Sequence, residues 1–290
     1  MTVAVVVALG LVIAAGSGAL DRGETPAPTA SSAGLKSDRF DSARAFAELR
    51  RQVELGPRPA GSGASKRLAA RLRRALPQGR YESVPGGLRN VVGQLPGAKP
   101  AVVVAAHYDT KRLPGFVGAN DGAGGTAAVL EIARVMQRTR RPAGAPELRF
   151  VLFDGEEATN DKADFLLSGL RGSRAYARRH RGEVGALILL DFIADKRLAI
   201  PREAGSDVAL WAKLRAAARR VGAQAAFPAA NVGEILDDHT PFARDGVPAI
   251  DLIDFDFPCW HKRCDDLTAV SERSLDFSGE TVTELVRTLK

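Results

Sequence analysis

Four apolar runs of strand length limit what this chain can fold into. They are AVVVAA (101–106), LRFVLF (148–153), ALILLD (186–191) and PAIDLI (248–253). Their length and their valine, leucine and isoleucine content are typical of strands that a sheet buries on both faces. Amphipathic segments of helix length lie between and after the runs, at 125–138, 173–180, 207–221 and 275–289. This alternation predicts an α/β sandwich with a largely parallel sheet.

The chain upstream of the first run predicts a smaller set of elements. Capping residues and apolar periodicity predict helices at 43–55 and 62–75, and extended segments at 79–84 and 90–95 flank a Pro-Gly-Gly turn. No internal repeat and no second boundary follow. We therefore expect residues 38–290 to form one domain.

The first 37 residues have the composition of a targeting segment and a linker. Residues 2–20 are apolar and end in small residues, and 21–37 are rich in proline, alanine and serine. No lysine or arginine precedes the apolar segment, but its length suits an export signal or a single membrane span. We expect residues 1–20 to be a signal peptide or an N-terminal anchor, and the domain to be extracytoplasmic, either secreted or membrane-anchored.

The two cysteines agree with an oxidising compartment. Cys259 and Cys264 lie in PCWHKRCDD, on either side of His261. Two cysteines alone cannot supply the four ligands of a structural zinc site. In an exported protein we expect a local disulfide, whereas two free thiols are expected if the N-terminal segment is not an export signal.

The composition excludes several classes of protein. With 45% hydrophobic and 26% charged residues, the chain is neither collagen-like nor disordered. Its 41 Lys and Arg against 34 Asp and Glu give a net charge of +7, which would permit anionic partners. The basic residues follow predicted helices without interleaved aromatics, as on a solvated helix face. We therefore expect no nucleic-acid partner.

Polar side chains follow the predicted strands where each strand ends. HYD follows the first run, DGEE follows the second, and an aspartate closes the third. Functional groups collect beyond the carboxyl ends of strands in open α/β sheets. Imidazoles and carboxylates without thiolates suit a catalytic zinc ion, which also neutralises clustered acids. The candidates for this one site are His107, Asp121, Glu156, Glu157, Asp191 and His261.

Taken in order, the motifs of the chain resemble those of a known family. The series is GPRPAGS, HYDTK, FVGANDGAGG, FVLFDGEEA, LILLDFIAD, DDHTPFARDGVPAIDLI and WHKRCDD. It resembles the zinc exopeptidases of metallopeptidase family 28 and, within that fold, the glutaminyl-peptide cyclotransferases. The resemblance implies a three-layer α/β sandwich in which helices flank a mixed, mostly parallel sheet.

The resemblance also implies a role for each matched residue. Asp121, Glu157 and His261 would be zinc ligands in both branches of the family. Glu156 would be the general acid/base. Asp109 would orient His107 by hydrogen bonding.

The two branches differ in the number of zinc ions. In the peptidase branch, His107 and Asp191 hold a second zinc, with Asp121 as the bridging ligand. In the cyclase branch only one zinc is bound. Asp191 and Asp238 would then form a hydrogen-bonded acidic network beside the substrate, both with catalytic roles.

Local sequence favours the cyclase branch. Trp260, directly before His261, would form the wall of an apolar pocket for a glutamine side chain, although it could instead be a core aromatic that covers the disulfide. NDGAGG and the cysteine pair are more similar to the aminopeptidases. We expect a zinc-dependent cyclotransferase that converts the N-terminal glutamine of peptides or proteins to pyroglutamate with release of ammonia.

Two alternative functions stay open. The first is a zinc aminopeptidase of the same family, for which two zinc ions are expected instead of one. The second is a non-catalytic binding module, since a fold does not dictate a function. We expect the enzyme to be a monomer that takes peptide or protein N-termini as substrate, with the N-terminal segment as a membrane anchor if it is retained.

Overall fold

Strands that are rich in aliphatic side chains form the centre of the fold. The structure, a computed structural model, describes residues 35–159 and 164–290. Six strands form one sheet in the order β1-β2-β4-β3-β5-β8, and β6 pairs with β7 apart from it. The strands are β1 (Arg80–Val84), β2 (Leu88–Leu95), β3 (Ala98–His107), β4 (Pro146–Phe153), β5 (Val184–Leu190), β6 (Arg202–Glu203), β7 (Asn231–Val232) and β8 (Ala249–Leu252).

The sheet is antiparallel at one edge and parallel over the rest. The pairs β1–β2 and β2–β4 are antiparallel, whereas β4–β3, β3–β5 and β5–β8 are parallel. At the centre of the sheet, Val103 of β3 pairs with Arg149 of β4 on one side and with Leu187 of β5 on the other. The four apolar runs are strands β3, β4, β5 and β8, so the predicted mixed, mostly parallel sheet is confirmed.

The helices begin at side chains that accept hydrogen bonds from their first turns. Asp41, Ser62, Asp207 and Ser271 cap α1, α2, α6 and α8 in this way. The helix α6 ends at Gly222, whose φ of 87° suits glycine. The helices are α1 (Ser42–Val53), α2 (Gly63–Ala75), α3 (Gly125–Arg138), α4 (Phe165–Ser168), α5 (Arg171–Arg179), α6 (Val208–Val221), α7 (Thr240–Arg244) and α8 (Glu272–Thr288).

Alternate residues of the strands pack into two separate cores. On β3, Val102 and Val104 contact the core that α1, α2, α3, α6 and α8 complete. Val103 and Ala105 face the other way, into a core with Tyr176 and other residues of α5 and α7. Because side chains of a strand alternate between faces, helices cover both sides of the sheet. The result is the predicted three-layer sandwich.

The predicted targeting segment cannot be compared with this structure. Residues 1–20 and most of the predicted linker lie outside the described residues. Among the helices within 35–159 and 164–290, none is long and apolar enough to cross a membrane.

Candidate active site

A cavity of about 530 Å³ opens at the edge of the sheet where the parallel strands end. The loop after β4 contributes two glutamates to it, and the ends of β5 and β8 contribute Asp191 and Ile253. Residues far apart in sequence meet here because the carboxyl ends of parallel strands share one edge. The walls include Lys111, Asp121, Glu156, Glu157, Asp191, Phe192, Glu234, Ile235, Leu236, Asp237, Ile253, Phe255, Trp260 and His261.

Three of the predicted ligands meet on the cavity wall. The ligand atoms of Asp121, Glu157 and His261 all lie within 4.8 Å of one another. His261 Nε2 is 3.7 Å from Asp121 Oδ2 and 3.6 Å from Glu157 Oε2. Zinc binds nitrogen and oxygen at about 2.0–2.2 Å, which places tetrahedral ligands about 3.4 Å apart. This cluster therefore has nearly the spacing of a zinc site.

A second cluster shares Asp121 with the first. His107 Nε2 is 3.1 Å from Asp121 Oδ1 and 3.5 Å from Asp191 Oδ1. Asp121 directs its other oxygen toward His261, so its carboxylate lies between the two clusters. Burial raises the pKa of Asp191 to about 7, although His107 opposes this shift. The two clusters could hold one or two cations.

The chemistry of these side chains fits a divalent cation. Asp121 Oδ2 and Glu157 Oε1 are buried without a hydrogen-bond partner among the described residues. Each buried unpaired polar atom costs about 1–3 kcal/mol. Burial and the neighbouring Asp121 also raise the pKa of Glu157 well above its usual value. A bound cation would relieve both penalties.

Asp109 holds the loop that carries the two glutamates. Its Oδ1 accepts hydrogen bonds from the backbone N–H of Gly155 at 2.8 Å and of Glu156 at 3.2 Å. The same oxygen is 3.8 Å from His107 Nδ1, which is beyond hydrogen-bond distance. Asp109 therefore positions Glu156 more directly than it orients His107. Burial and the adjacent Glu157 raise the pKa of the Glu156 carboxyl well above its usual value.

Asp121 lies in a tight turn that leads into α3. Gly122 in this turn has a φ of 92°, and a Cβ at its position would lie 3.1 Å from the His107 ring. Glycine thus leaves room for a candidate ligand. Asp265 accepts hydrogen bonds from the N–H groups of Asn120 at 2.7 Å and Asp121 at 3.1 Å. Asp265 lies within WHKRCDD, but the motif alone does not indicate this role.

A fully buried arginine lies behind the acidic cavity. Arg58 donates hydrogen bonds to the backbone carbonyls of Val117 and Gly118. Burial lowers its pKa to about 10, against the opposing effect of Asp265 and Asp121. Arg58 is therefore a cation at neutral pH, and it offsets part of the negative charge of the site. Arg58 is the arginine of the motif GPRPAGS, but the motif does not predict that this side chain is buried behind the acidic cavity.

A turn closed by the Cys259–Cys264 disulfide presents His261 to the cavity. The N–H of Lys262 donates to the carbonyl of Cys259 at 3.0 Å, so Trp260 and His261 form the tip of the turn. His261 has a φ of 51°, which is uncommon for a residue with a side chain. The surrounding structure must hold it there. The disulfide is the local one that we predicted for an exported protein.

Aromatic rings form one wall of the cavity. The Trp260 ring stacks on His261 with centroids 4.6 Å apart and packs against Phe255 at 5.0 Å. Phe255 in turn stacks on Phe192 at 6.2 Å. Trp260 is 43% exposed, so it is not a core aromatic that covers the disulfide. Its ring is available to contact a ligand.

Of the two aspartates expected in the acidic network, Asp191 lines the cavity and Asp238 does not. Asp237 lines the cavity, whereas Asp238 is completely buried and does not. The two side chains point in different directions from adjacent residues, a distinction that the sequence DDH does not contain. Burial raises the pKa of Asp237 to about 6. The acidic pair on the cavity wall is therefore Asp191 and Asp237.

The sequence matches a family profile and several curated proteins. The profile of peptidase family M28 matches residues 90–286, which include both clusters. A Drosophila melanogaster glutaminyl-peptide cyclotransferase is 30% identical over an alignment of 225 positions, and the match covers 64% of this chain and 61% of that protein. One from Bothrops jararaca is 28% identical over 229 residues, with the same two coverages. The match thus spans about three fifths of the length of these relatives.

Solved structures share the fold along nearly their whole length. The glutaminyl cyclase of an Acidobacteriales bacterium has a TM-score of 0.74 at 29% identity, over 89% of this chain and 98% of that one. The Porphyromonas gingivalis glutaminyl cyclase has a TM-score of 0.75 at 26% identity, over 86% and 99%. A leucine aminopeptidase precursor from Bacteroides thetaiotaomicron, 24% identical over 88% and 100%, shares the fold with a TM-score of 0.78. Because the family profile covers more than half of the sequence, the chain belongs to peptidase family M28.

Proposed function

We propose that this protein is a zinc-dependent glutaminyl-peptide cyclotransferase that acts on the N-termini of peptides or proteins. The observation that carries the proposal is the make-up of one cavity. A buried glutamate, a three-residue ligand cluster and an aromatic wall all face the same space. The relatives named glutaminyl-peptide cyclotransferase support the same function.

Asp121, Glu157 and His261 would hold the zinc ion. Bound there, zinc would supply Lewis-acid polarisation of a substrate carbonyl. The protein's own contribution is to fix these ligands: Asp265 holds the backbone of Asp121, and the disulfide-closed turn holds His261.

Glu156 would carry the proton of the reaction. Cyclisation forms a bond between the α-amine nitrogen of an N-terminal glutamine and its own γ-carbonyl carbon, and ammonia leaves. One proton must therefore move from the attacking amine to the departing nitrogen. Glu156 lines the cavity beside Glu157, and burial and that neighbour raise its pKa, which favours proton transfer by this carboxyl.

The aromatic wall would enclose the glutamine side chain. Trp260 and Phe255 offer flat apolar surfaces beside the ligand His261. Asp191 and Asp237 line the same cavity and can accept hydrogen bonds from the substrate's amine and amide N–H groups. Such a pocket favours a folded side chain with polar N–H groups on one side and apolar methylenes on the other.

The second candidate function is an M28 aminopeptidase. The cluster of His107, Asp121 and Asp191 favours it, because this cluster could hold a second zinc ion. Glu156 would then accept a proton from the attacking water and pass it to the leaving amine. The same glutamate serves both reactions.

The disulfide supports an extracytoplasmic location for this enzyme. We therefore assign the catalytic role to a domain of residues 38–290, with the N-terminal segment as signal or anchor.

A paired assay separates the two functions. The zinc-loaded protein is incubated with a glutamine-initiated peptide and with the same peptide initiated by leucine, and the products are separated by chromatography. A cyclotransferase releases ammonia from the first peptide and leaves the second intact. Removal of leucine would contradict the proposal and support the aminopeptidase. Atomic emission spectroscopy of the same protein measures the number of zinc ions bound per chain.

A further inference from the structure

A second cavity adjoins the active-site cavity, and we infer that it binds the side chain of the second or third residue of the peptide substrate, with a preference for lysine or arginine. The inference rests on the proposed function, because it assumes that the peptide's N-terminus lies beside the ligand cluster. It specifies which peptides the site would select.

The two cavities share a wall. Glu234, Ile235, Ile253 and Phe255 line both of them. The second cavity has a volume of about 520 Å³, nearly equal to the 530 Å³ of the first. An extended peptide advances by about 3.3–3.6 Å per residue. A chain whose first residue fills the active-site cavity would therefore reach the second cavity within a few residues.

Exposed apolar side chains concentrate around this pair of cavities. Seven large hydrophobic residues of the described chain are exposed, and four of them line one or both cavities. These four are Val232, Leu236, Phe255 and Trp260. Exposed apolar side chains that line adjoining cavities indicate a binding groove. Methylene groups of a peptide substrate would cover it.

The charged groups in the second cavity are all acidic. They are Glu234, Asp254 and Asp256, and no lysine or arginine of the described residues lines it. Asp254 is buried, whereas Glu234 and Asp256 are exposed and form no ion pair with other described residues. Arg202 on β6 donates to Asn231 and is not part of the wall. The chain as a whole carries a net charge of +7, so this surface is locally opposite in sign.

Apolar walls with an acidic rim match one kind of side chain. Lysine and arginine place an aliphatic stem on apolar surface and keep the cationic head near water. Pro201, Pro228 and Ala230 can contact the stem. Glu234 and Asp256 can pair with the head. A glutamate at the same position of the peptide would meet like charge.

Matched peptides test this preference. We compare kcat/KM for Gln-Lys-Ala-Ala with Gln-Glu-Ala-Ala, and for Gln-Ala-Lys-Ala with Gln-Ala-Glu-Ala, using Gln-Ala-Ala-Ala as reference. The two exposed carboxylates attract a lysine side chain and repel a glutamate side chain. We therefore predict that kcat/KM is about tenfold higher for the lysine peptide than for the glutamate peptide in at least one pair. About 0.5 M salt should reduce that preference, because exposed charges are screened.

A double variant and a control variant test whether the preference for lysine arises in this cavity. In Glu234→Gln/Asp256→Asn, the ratio of the lysine to the glutamate peptide should fall to nearly one. The control, Glu54→Gln, changes an exposed carboxylate at the end of α1 and should keep the wild-type ratio. Turnover of Gln-Ala-Ala-Ala with no lysine preference in either pair, or an unchanged ratio in the double variant, would overturn the inference. Absence of turnover on every peptide would overturn the proposed function and this inference with it.

Discussion

Glu156 and Glu157 are adjacent in sequence but have different tasks in this account. Glu157 belongs to the ligand cluster, whereas Glu156 lines the cavity without belonging to it. Glu156→Gln should therefore keep the bound zinc and lower kcat by about a hundredfold or more, because the amide cannot carry a proton. Metal content and turnover of the same sample test this. Glu157→Gln is the matched control and should lose zinc, and a fully active Glu156→Gln enzyme would exclude Glu156 as the proton carrier.

The buried positive charge of Arg58 stabilises the acidic residues of the site. It is completely buried, and the negative charges of Asp265, Asp121 and Asp109 act on it. Arg58→Met should lower the free energy of unfolding by about 3 kcal/mol, because it leaves buried carboxylates without their cation and carbonyls without their donor. Urea denaturation measures this loss. Arg58→Lys keeps the charge and should lose less, whereas equal midpoints for Arg58→Met and the wild type would contradict this role.

At the scale of elements, the turn that carries His261 combines an unfavourable backbone conformation with a covalent closure. The disulfide spans this turn, and His261 at its tip has a φ of 51°. We expect Cys259→Ser/Cys264→Ser to weaken zinc binding by about tenfold or more, since supports of ligands contribute on that scale. Competition with a chelator measures the affinity. The circular dichroism spectrum should not change, and an unaltered zinc affinity would show that the turn holds its shape without the disulfide.

The junction between α5 and β5 carries an ion cluster with a defined pH dependence. Arg149 on β4 donates to Glu183 at 2.5 Å, and this hydrogen bond lowers the pKa of Glu183 to about 2. A lowered carboxyl pKa stabilises the fold above the unfolded-state pKa of about 4.3, and the contribution disappears as pH falls toward 2. Glu183→Gln should thus be less stable than the wild type at pH 6 and converge with it near pH 2. Urea midpoints across this range test it, and a constant difference would contradict it.

The elements themselves were largely predictable from sequence. Local patterning fixed the four buried strands, and α1, α3, α6 and α8 begin and end within a few residues of their predicted bounds. Short pieces such as α4, α7 and the β6–β7 pair were missed. Their existence depends on tertiary contacts, because segments of two to five residues carry too little periodicity to be recognised.

At the scale of the whole molecule, the site was predictable only in part. The position of polar residues after strands predicted that His107, Glu156, Glu157 and Asp191 meet at one edge of the sheet, whereas the division of the ligands into two clusters was implied by the family resemblance. The choice between Asp237 and Asp238 was not predictable, since it depends on the direction of each side chain. The roles of Arg58 and Asp265 were not predictable either, because they depend on contacts with residues that are distant in sequence.

Net charge is also a poor guide to the local surface. A charge of +7 would suggest acidic ligands for the molecule. The charged groups of the second cavity are nevertheless all acidic, and the active-site cavity is rich in carboxylates. Since charges are screened over about 10 Å, the local groups decide which substrate is attracted.

We propose that this site joins a peptide's own amine to its glutamine side chain, without water as a reactant. The most direct test is to run the reaction of the zinc-loaded protein in water labelled with a heavy oxygen isotope and to examine a glutamine-initiated peptide by mass spectrometry. We predict a product that has lost one ammonia, keeps every residue and contains no heavy oxygen. A free N-terminal amino acid that carries heavy oxygen in its carboxylate would contradict the account and identify the enzyme as a hydrolase.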